Sequence, residues 1–289
     1  MTAPLLLLTL AAAASQTPPS PPSFAASVEA VYLDVFVVRD GLPVAGLTAA
    51  NFEVRDQGVV QHVRIAQHEE LTLVAVLVFD ASASVSGERM TSLQAAGRAL
   101  IAGLRPQDEA ALVTFSHELG VMVPQGNHRE GVRRALDSLT GAGATSLWDG
   151  LYAGLKLTRS RGRALVVLFT DGEDNLSWLT PEQVQRVAEE SNAVLHVVSL
   201  ADPPGMQERP GRRALRRISD ATGGRLWTAG ASSDLEATFL RILSEMQSSY
   251  LLTYEPTGEG GEGWHRLQVK LEGNRGKVRT RSGYFVPPR

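Results

Sequence analysis

In the segment LVFDASASVSGERM, a run of apolar residues ends in Asp80, and Ser82 and Ser84 follow at alternate positions. A buried strand that delivers a carboxylate and two hydroxyls to one loop can be building a nucleophile, a phosphate cradle or a metal site. Two other segments narrow the choice. ALVVLFTD ends in Asp171 and continues as GEDN, and GAGATSLWDG offers the hydroxyl of Thr145. Two carboxylates and three hydroxyls with no His and no Cys make an all-oxygen set, which suits a hard divalent cation in octahedral coordination. Mg²⁺ is the first expectation, with Mn²⁺ or Ca²⁺ as alternatives. Such a set leaves a coordination position for an acidic group of a partner. One Asp or Ser alone would read as a helix cap, but five oxygens on three loops favour the metal.

The elements that must position these groups are legible as periodicities. Near-continuous apolar runs at 71–80, 110–115, 164–171 and 193–200 are too apolar to leave a face in water, so they predict strands of a mostly parallel sheet covered by helices. Helical stripes lie between them: Met90, Leu93, Leu100, Ile101 and Leu104; then Val132, Leu136 and Leu139; then Leu147, Leu151, Leu155 and Leu157. Thr180, Pro181 and Glu182 open another helix, and a further helix is predicted around 233–247. The fold class is α/β, a doubly wound, mostly parallel sheet flanked by helices. In such a sheet ligands bind beyond the carboxyl ends of the strands, the edge from which Asp80 and Asp171 project.

The flanks read differently. VEAVYLDVFVVRDG and FEVRDQGVVQHVRIA predict a small antiparallel unit of three or four strands with turns at Asp40-Gly41 and Asp56-Gln57-Gly58, and SSYLLTYEP, GWHRLQVKLEG and KVRTRSGYFVP predict three more strands. The economical arrangement pairs the two flanks into one β-rich unit with the α/β domain inserted between them. The expected division is a signal peptide over 1–15, a Pro-rich linker over 16–23, an N-terminal β segment over 24–70, the α/β domain over 71–248 and a C-terminal β segment over 249–289.

Asp80-Ala81-Ser82-Ala83-Ser84, Thr145 and Thr170-Asp171-Gly172 together resemble the metal-ion-dependent adhesion site of von Willebrand factor type A domains, a D-x-S-x-S motif followed by a threonine and a T-D-G aspartate. The resemblance implies Ser82 and Ser84 as direct ligands, Thr145 as a direct or water-mediated one, and Asp80 and Asp171 as the acids that hold the ion, mostly through water. Ala83 departs from the usual glycine, which implies a slightly stiffer loop. The flanks resemble those of exported bacterial von Willebrand A-related proteins described mainly from acidobacteria, so the likeness spans about residues 28–287.

Composition limits the alternatives. A net charge of −3 and the lack of any run of five basic residues give no signal for nucleic acid, and RPGRRALRR (209–217) reads as a solvated helix face. With no cysteine in the chain, disulfides and thiolate chemistry are excluded. MTAPLLLLTLAAAASQ reads as an export signal, and nothing approaches the about 18 apolar residues of a membrane span. The expected location is periplasmic or secreted. A dehalogenase-type phosphatase would need a second acid where Ser82 stands and a lysine in a loop, whereas Lys156 falls inside a helix. A serine hydrolase would need G-x-S-x-G. The expected function is therefore a non-enzymatic, metal-dependent protein-binding module that engages an Asp or Glu carboxylate of a partner. The alternative is a structural envelope component with a vestigial site.

Trp148 and Trp178 are candidate partner anchors on the rim. Glu173 and Asp174 are expected as solvated loop charges, and Asp149 as a stabiliser of the helix after Thr145. His62, His68, His117, His128, His196 and His265 show no metal-ligating spacing.

Overall fold

The computed structural model describes residues 30–66, 71–158, 163–200, 208–257, 261–273 and 276–286. The expected signal peptide (1–15), the linker (16–23) and His68 lie outside the described residues.

In chain order the elements are β1 (Val31–Arg39), β2 (Leu42–Pro43), β3 (Phe52–Asp56), β4 (Val59–Gln61), β5 (Arg64–Ala66), β6 (Leu73–Asp80), α1 (Glu88–Ala102), β7 (Glu109–Phe115), β8 (Leu119–Gly126), α2 (Arg129–Asp137) and α3 (Leu147–Lys156). They continue as β9 (Arg163–Phe169), α4 (Pro181–Glu190), β10 (Ala193–Leu200), α5 (Pro210–Ala221), β11 (Arg225–Ala229), α6 (Leu235–Ser248), β12 (Tyr250–Tyr254), β13 (Gly263–Leu271), β14 (Lys277–Arg279) and β15 (Gly283–Val286).

The central sheet has the order β11-β10-β9-β6-β7-β8, parallel except for β8 at one edge. All eight residues of β6 are buried. Leu73, Ala75, Leu77 and Phe79 join a core roofed by α1, α2 and α6, while Val74, Val76 and Val78 join another roofed by α3, α4 and α5. A strand covered on both faces cannot alternate polar with apolar, which is why the run is continuous. The four apolar runs became β6, β7, β9 and β10. The two outer strands, β8 and β11, were not anticipated. In β8 only Val123 is buried, and Leu119, Val121 and Met122 are about half exposed. Pro124 in it is tolerated because the strand is an edge.

The flanks form two facing sheets, β14-β1-β12-β5 with β2 on β1, and β15-β13-β3-β4. They interleave: β1 pairs with β12 (Leu33 opposite Leu252), and β3 pairs with β13 (Val54 opposite Val269). The N-terminal flank is thus not an antiparallel unit of its own. Its strands carry one apolar face, which is buried only when the C-terminal strands complete both sheets around Leu33, Val35, Val54, Leu252 and Tyr254. KVRTRSGYFVP is likewise two strands. It breaks at Thr280–Ser282, where Arg281 leaves the sandwich to donate to the Glu189 and Ser191 carbonyls at the end of α4 (3.0 and 2.8 Å). A second tie is Arg163 at the start of β9, nearly fully buried and paired with Asp34 of β1. The chain therefore leaves the sandwich at β5, builds the α/β body and returns at β12.

Candidate functional site

β6 and β9 are neighbours, yet the chain proceeds outward from them in opposite directions, to β7 and to β10. This reversal opens a crevice at their carboxyl ends, and Asp80 and Asp171 flank it. Asp80 is fully buried. Its Oδ1 accepts from the Ser82 amide (2.9 Å), and its Oδ2 accepts from Thr170 Oγ1 (3.0 Å). Burial pushes the Asp80 carboxyl up to about 6; the charge of Asp171 adds to this, and hydrogen bonds from Ser82 and Thr170 oppose it.

After Asp80 the chain turns through a short 3-10 segment, Ala83–Val85, which brings Ser82 Oγ and Ser84 Oγ within 3.1 Å of each other. The loop carrying Thr145 is laced to this turn by Ala142 N to Ala81 O (2.8 Å) and Ala83 N to Gly143 O (3.1 Å). A Cβ on Gly141 would lie 2.8 Å from the Ser82 carbonyl and 3.0 Å from the Ser86 amide, so only glycine permits the two loops to approach this closely.

The loop after Asp171 locks the third segment. Asn175 Oδ1 accepts from the Thr145 amide (2.8 Å), and the Asn175 and Leu176 amides donate to the Thr145 carbonyl (both 3.1 Å). Thr145 thus spends its backbone on position, and its hydroxyl makes no hydrogen bond among the described residues. Two acidic residues add contacts to those expected of them. Asp174 is exposed as expected, but its Oδ1 also accepts from the Leu147 amide (2.9 Å) and so caps α3. Asp149 stands in the first turn of α3 as expected, and its carboxylate also accepts from the Trp178 and Leu179 amides (3.1 and 3.0 Å), holding the far end of the same loop.

The structure therefore gathers Asp80, Ser82, Ser84 and Asp171 at one crevice and fixes the Thr145 loop against both aspartate loops. The two tryptophans separate. Trp178 is 93% exposed, whereas Trp148 is 4% exposed and packs in the α3–α5 core, so it offers a partner little surface. Sequence reading missed Thr170, Asn175 and Ser177, whose Oγ accepts from the Trp148 amide at the start of α3 (2.9 Å). Thr170 was in view as the first residue of T-D-G, but its bond to Asp80 requires β6 and β9 to be neighbours. The arginine stretch 209–217 is only partly a solvated face. Arg212 is buried and donates to Leu200 O and Thr228 Oγ1, and Arg209 pairs with Glu173 at 3.0 Å.

The donor set fits a hard divalent cation. Every convergent group is an oxygen, Asp80 is a buried carboxylate beside a second one, and the Ser82 and Ser84 hydroxyls face one another. Among the described residues no three His, Asp or Glu side chains cluster as a metal site, so the hydroxyls are needed to complete a shell.

Residues 75–173 match the family model of the von Willebrand factor type A domain. Over those residues the chain is similar to the von Willebrand factor type A domain. A UPF0353 protein of Mycolicibacterium gilvum is 25% identical over 251 residues, covering 76% of this chain and 72% of the relative. Among solved structures, a von Willebrand factor type A protein from Catenulispora acidiphila superposes with a TM-score of 0.53 at 14% identity, covering 90% of this chain and 74% of that one. The von Willebrand domain of the type V pili tip protein Mfa5 from Porphyromonas gingivalis gives 0.52 at 13% identity, covering 66% and 98%. Proximal thread matrix protein 1 from the mussel byssus, with a zinc-occupied MIDAS motif, gives 0.51 at 17% identity, covering 62% and 46%. At these identities the structural likenesses establish the type A fold alone. The β sandwich lies outside the matched residues 75–173.

Proposed function

We propose that this protein is an exported, metal-dependent protein-binding module, periplasmic or secreted, whose type A domain takes a partner's Asp or Glu carboxylate at the β6–β9 crevice. The observation that carries the reading is the convergence of buried Asp80 with Asp171, Ser82 and Ser84 at the point where the strand order reverses. A bound Mg²⁺ would supply a hard positive centre that accepts an incoming carboxylate. Ser82, Ser84 and Thr145 would hold it by their hydroxyls, and Asp80 and Asp171 by their charge. The hydrogen bonds from Ser82 and Thr170 keep the Asp80 carboxylate oriented whether or not a partner is bound.

Binding is favoured over catalysis by the local chemistry. The Ser82 and Ser84 hydroxyls bond each other and no histidine. Lys156 stands at the last turn of α3 with its ammonium over the Tyr152 ring, roughly 14 Å along the helix from the Thr145 end. Export is supported by the sequence of residues 1–16. Among the described residues no helix is long and apolar enough to cross a membrane. A zinc-occupied MIDAS motif in a structural neighbour supports a divalent ion.

The test is calorimetric titration of Mg²⁺ or Mn²⁺ into the protein beside Asp80→Ala and Asp171→Ala, followed by capture of partners from the native envelope with and without EDTA. Ion binding in the wild type alone, with capture lost in EDTA, is the expected result. Equal titrations in all three proteins, or capture indifferent to EDTA, would overturn the metal mechanism.

A further inference from the structure

A cleft of about 690 Å³ opens beside Asp171, between the 172–175 loop and the first turns of α4 and α5. Its depth depends on Gly211, where a Cβ would lie 2.6 Å from the Gly172 carbonyl, so α5 starts against the aspartate loop only because that residue is glycine. The buried Trp148 lines it. One wall is basic: Arg209, Arg213 and Arg217 recur every four residues, which stacks them on one face of α5 at successive turns.

The three arginines are not equally engaged. Arg209 pairs with Glu173 at 3.0 Å and donates to the Asp171 carbonyl at 3.4 Å. Arg217 donates to Gln185 at 2.9 Å and lies 3.9 Å from Glu182. Arg213, between them, is exposed and has no carboxylate within 4.0 Å among the described residues; its charge acts on Glu208, which is itself held by Arg216 at 2.8 Å. Asp174, another acid of the lining, is occupied in capping α3. The cleft thus presents one exposed guanidinium without a close carboxylate, about one helical turn from the residue that touches the Asp171 loop. A planar guanidinium fork matches a carboxylate bidentately.

The geometry points to this cleft as the specificity subsite of the metal face, binding a second carboxylate of an acidic, extended peptide segment through Arg213. The inference rests on the metal-dependent reading of the crevice. Successive turns of α5 set Arg209 and Arg213 about 6 Å apart, and alternate residues of an extended chain are about 6.6 Å apart. Because Arg209 reaches the Asp171 carbonyl at the crevice edge, a segment with one acid at the crevice and the next about two residues on suits a second contact at Arg213.

The test uses two fluorescein-labelled peptides, Gly-Asp-Gly-Asp-Gly and Gly-Asp-Gly-Asn-Gly, titrated by fluorescence polarisation in Mg²⁺ and in EDTA, against the wild type, Arg213→Glu and Arg213→Gln. Circular dichroism checks that each variant is folded. In Mg²⁺ the two-acid peptide should bind the wild type about tenfold more tightly than the one-acid peptide, and both variants should erase that preference. The inference is overturned if the wild type does not discriminate, if the preference survives in both variants, or if neither peptide binds by about 10 mM. If EDTA leaves both affinities unchanged while Arg213→Glu still removes the preference, the subsite stands and the metal reading falls.

Discussion

Thr170 Oγ1 donates to Asp80 Oδ2 across 3.0 Å, joining the carboxyl ends of β9 and β6. The same hydroxyl accepts from the Gly172 amide at 3.1 Å, so one side chain orients the first aspartate and shapes the turn that presents the second. Thr170→Val keeps the volume and removes both bonds. Loss of an outer-shell partner of this kind weakens metal affinity by about 10- to 100-fold. Calorimetric Mg²⁺ titration should show that loss with the circular dichroism spectrum unchanged.

Asp80→Asn should separate stability from function. Its carboxyl is raised from 3.8 to about 6 in the folded protein. The metal-free folded state therefore favours the protonated form, and the stability this group contributes is fully present below pH 3.8 and lost as pH rises through about 6. At pH 7.5 in EDTA the Asn variant should match or exceed the wild type in stability, by at most about 3 kcal/mol, with a thermal midpoint equal or higher. Adding Mg²⁺ should raise the midpoint of the wild type only. A variant much less stable than the wild type in EDTA would contradict the burial argument.

Residues whose constraint is local were readable from the sequence. Asp80 and Asp171 end apolar runs, and continuous hydrophobicity has one main structural solution, so strand, edge and face followed together. Thr180 caps α4 reciprocally with Gln183, as its position before Pro181 implied. What escaped depends on which strands become neighbours. Nothing in the strand of Asp34 announces Arg163, 129 residues later, and Arg281 lies in what reads as an uninterrupted strand. Edge strands escaped for a related reason, since β8 and β11 have one partner each and carry a weak pattern. Trp148 shows the limit of composition: an aromatic near a polar edge can be an anchor or a core residue, and only the packing of α3 decides.

The Arg163–Asp34 tie predicts an asymmetric response. Both side chains are under 10% exposed, and Arg163 also donates to Met246 O and Ser249 Oγ (both 2.7 Å). Asp34→Ala leaves a buried guanidinium without its counter-charge, which costs about 3–5 kcal/mol. Asp34→Leu with Arg163→Met should recover most of that loss. Urea unfolding of the two variants measures both. Equal destabilisation by the single and double variants would show that the guanidinium's other bonds, and not its charge pairing, hold the sandwich to the α/β body.

His196 should make the fold sensitive to acid. It is fully buried on β10, where Nδ1 accepts from Trp227 Nε1 at 2.9 Å and Nε2 has no hydrogen-bond partner. Phe36 packs edge-on against the ring. Burial first, then the charges of Arg279 and Arg225, holds the imidazole well below its ordinary 6.5, and Glu245 pairs with both arginines without cancelling the burial. A depressed histidine contributes stability that is present above pH 6.5 and lost as pH falls toward the folded-state value. Between pH 6 and pH 5 the wild type should lose up to about 1.4 kcal/mol per unit more than a His196→Gln variant, whose side-chain oxygen can still accept from Trp227. Urea unfolding across that range measures the difference in slope. Parallel slopes would place the acid sensitivity elsewhere in the chain.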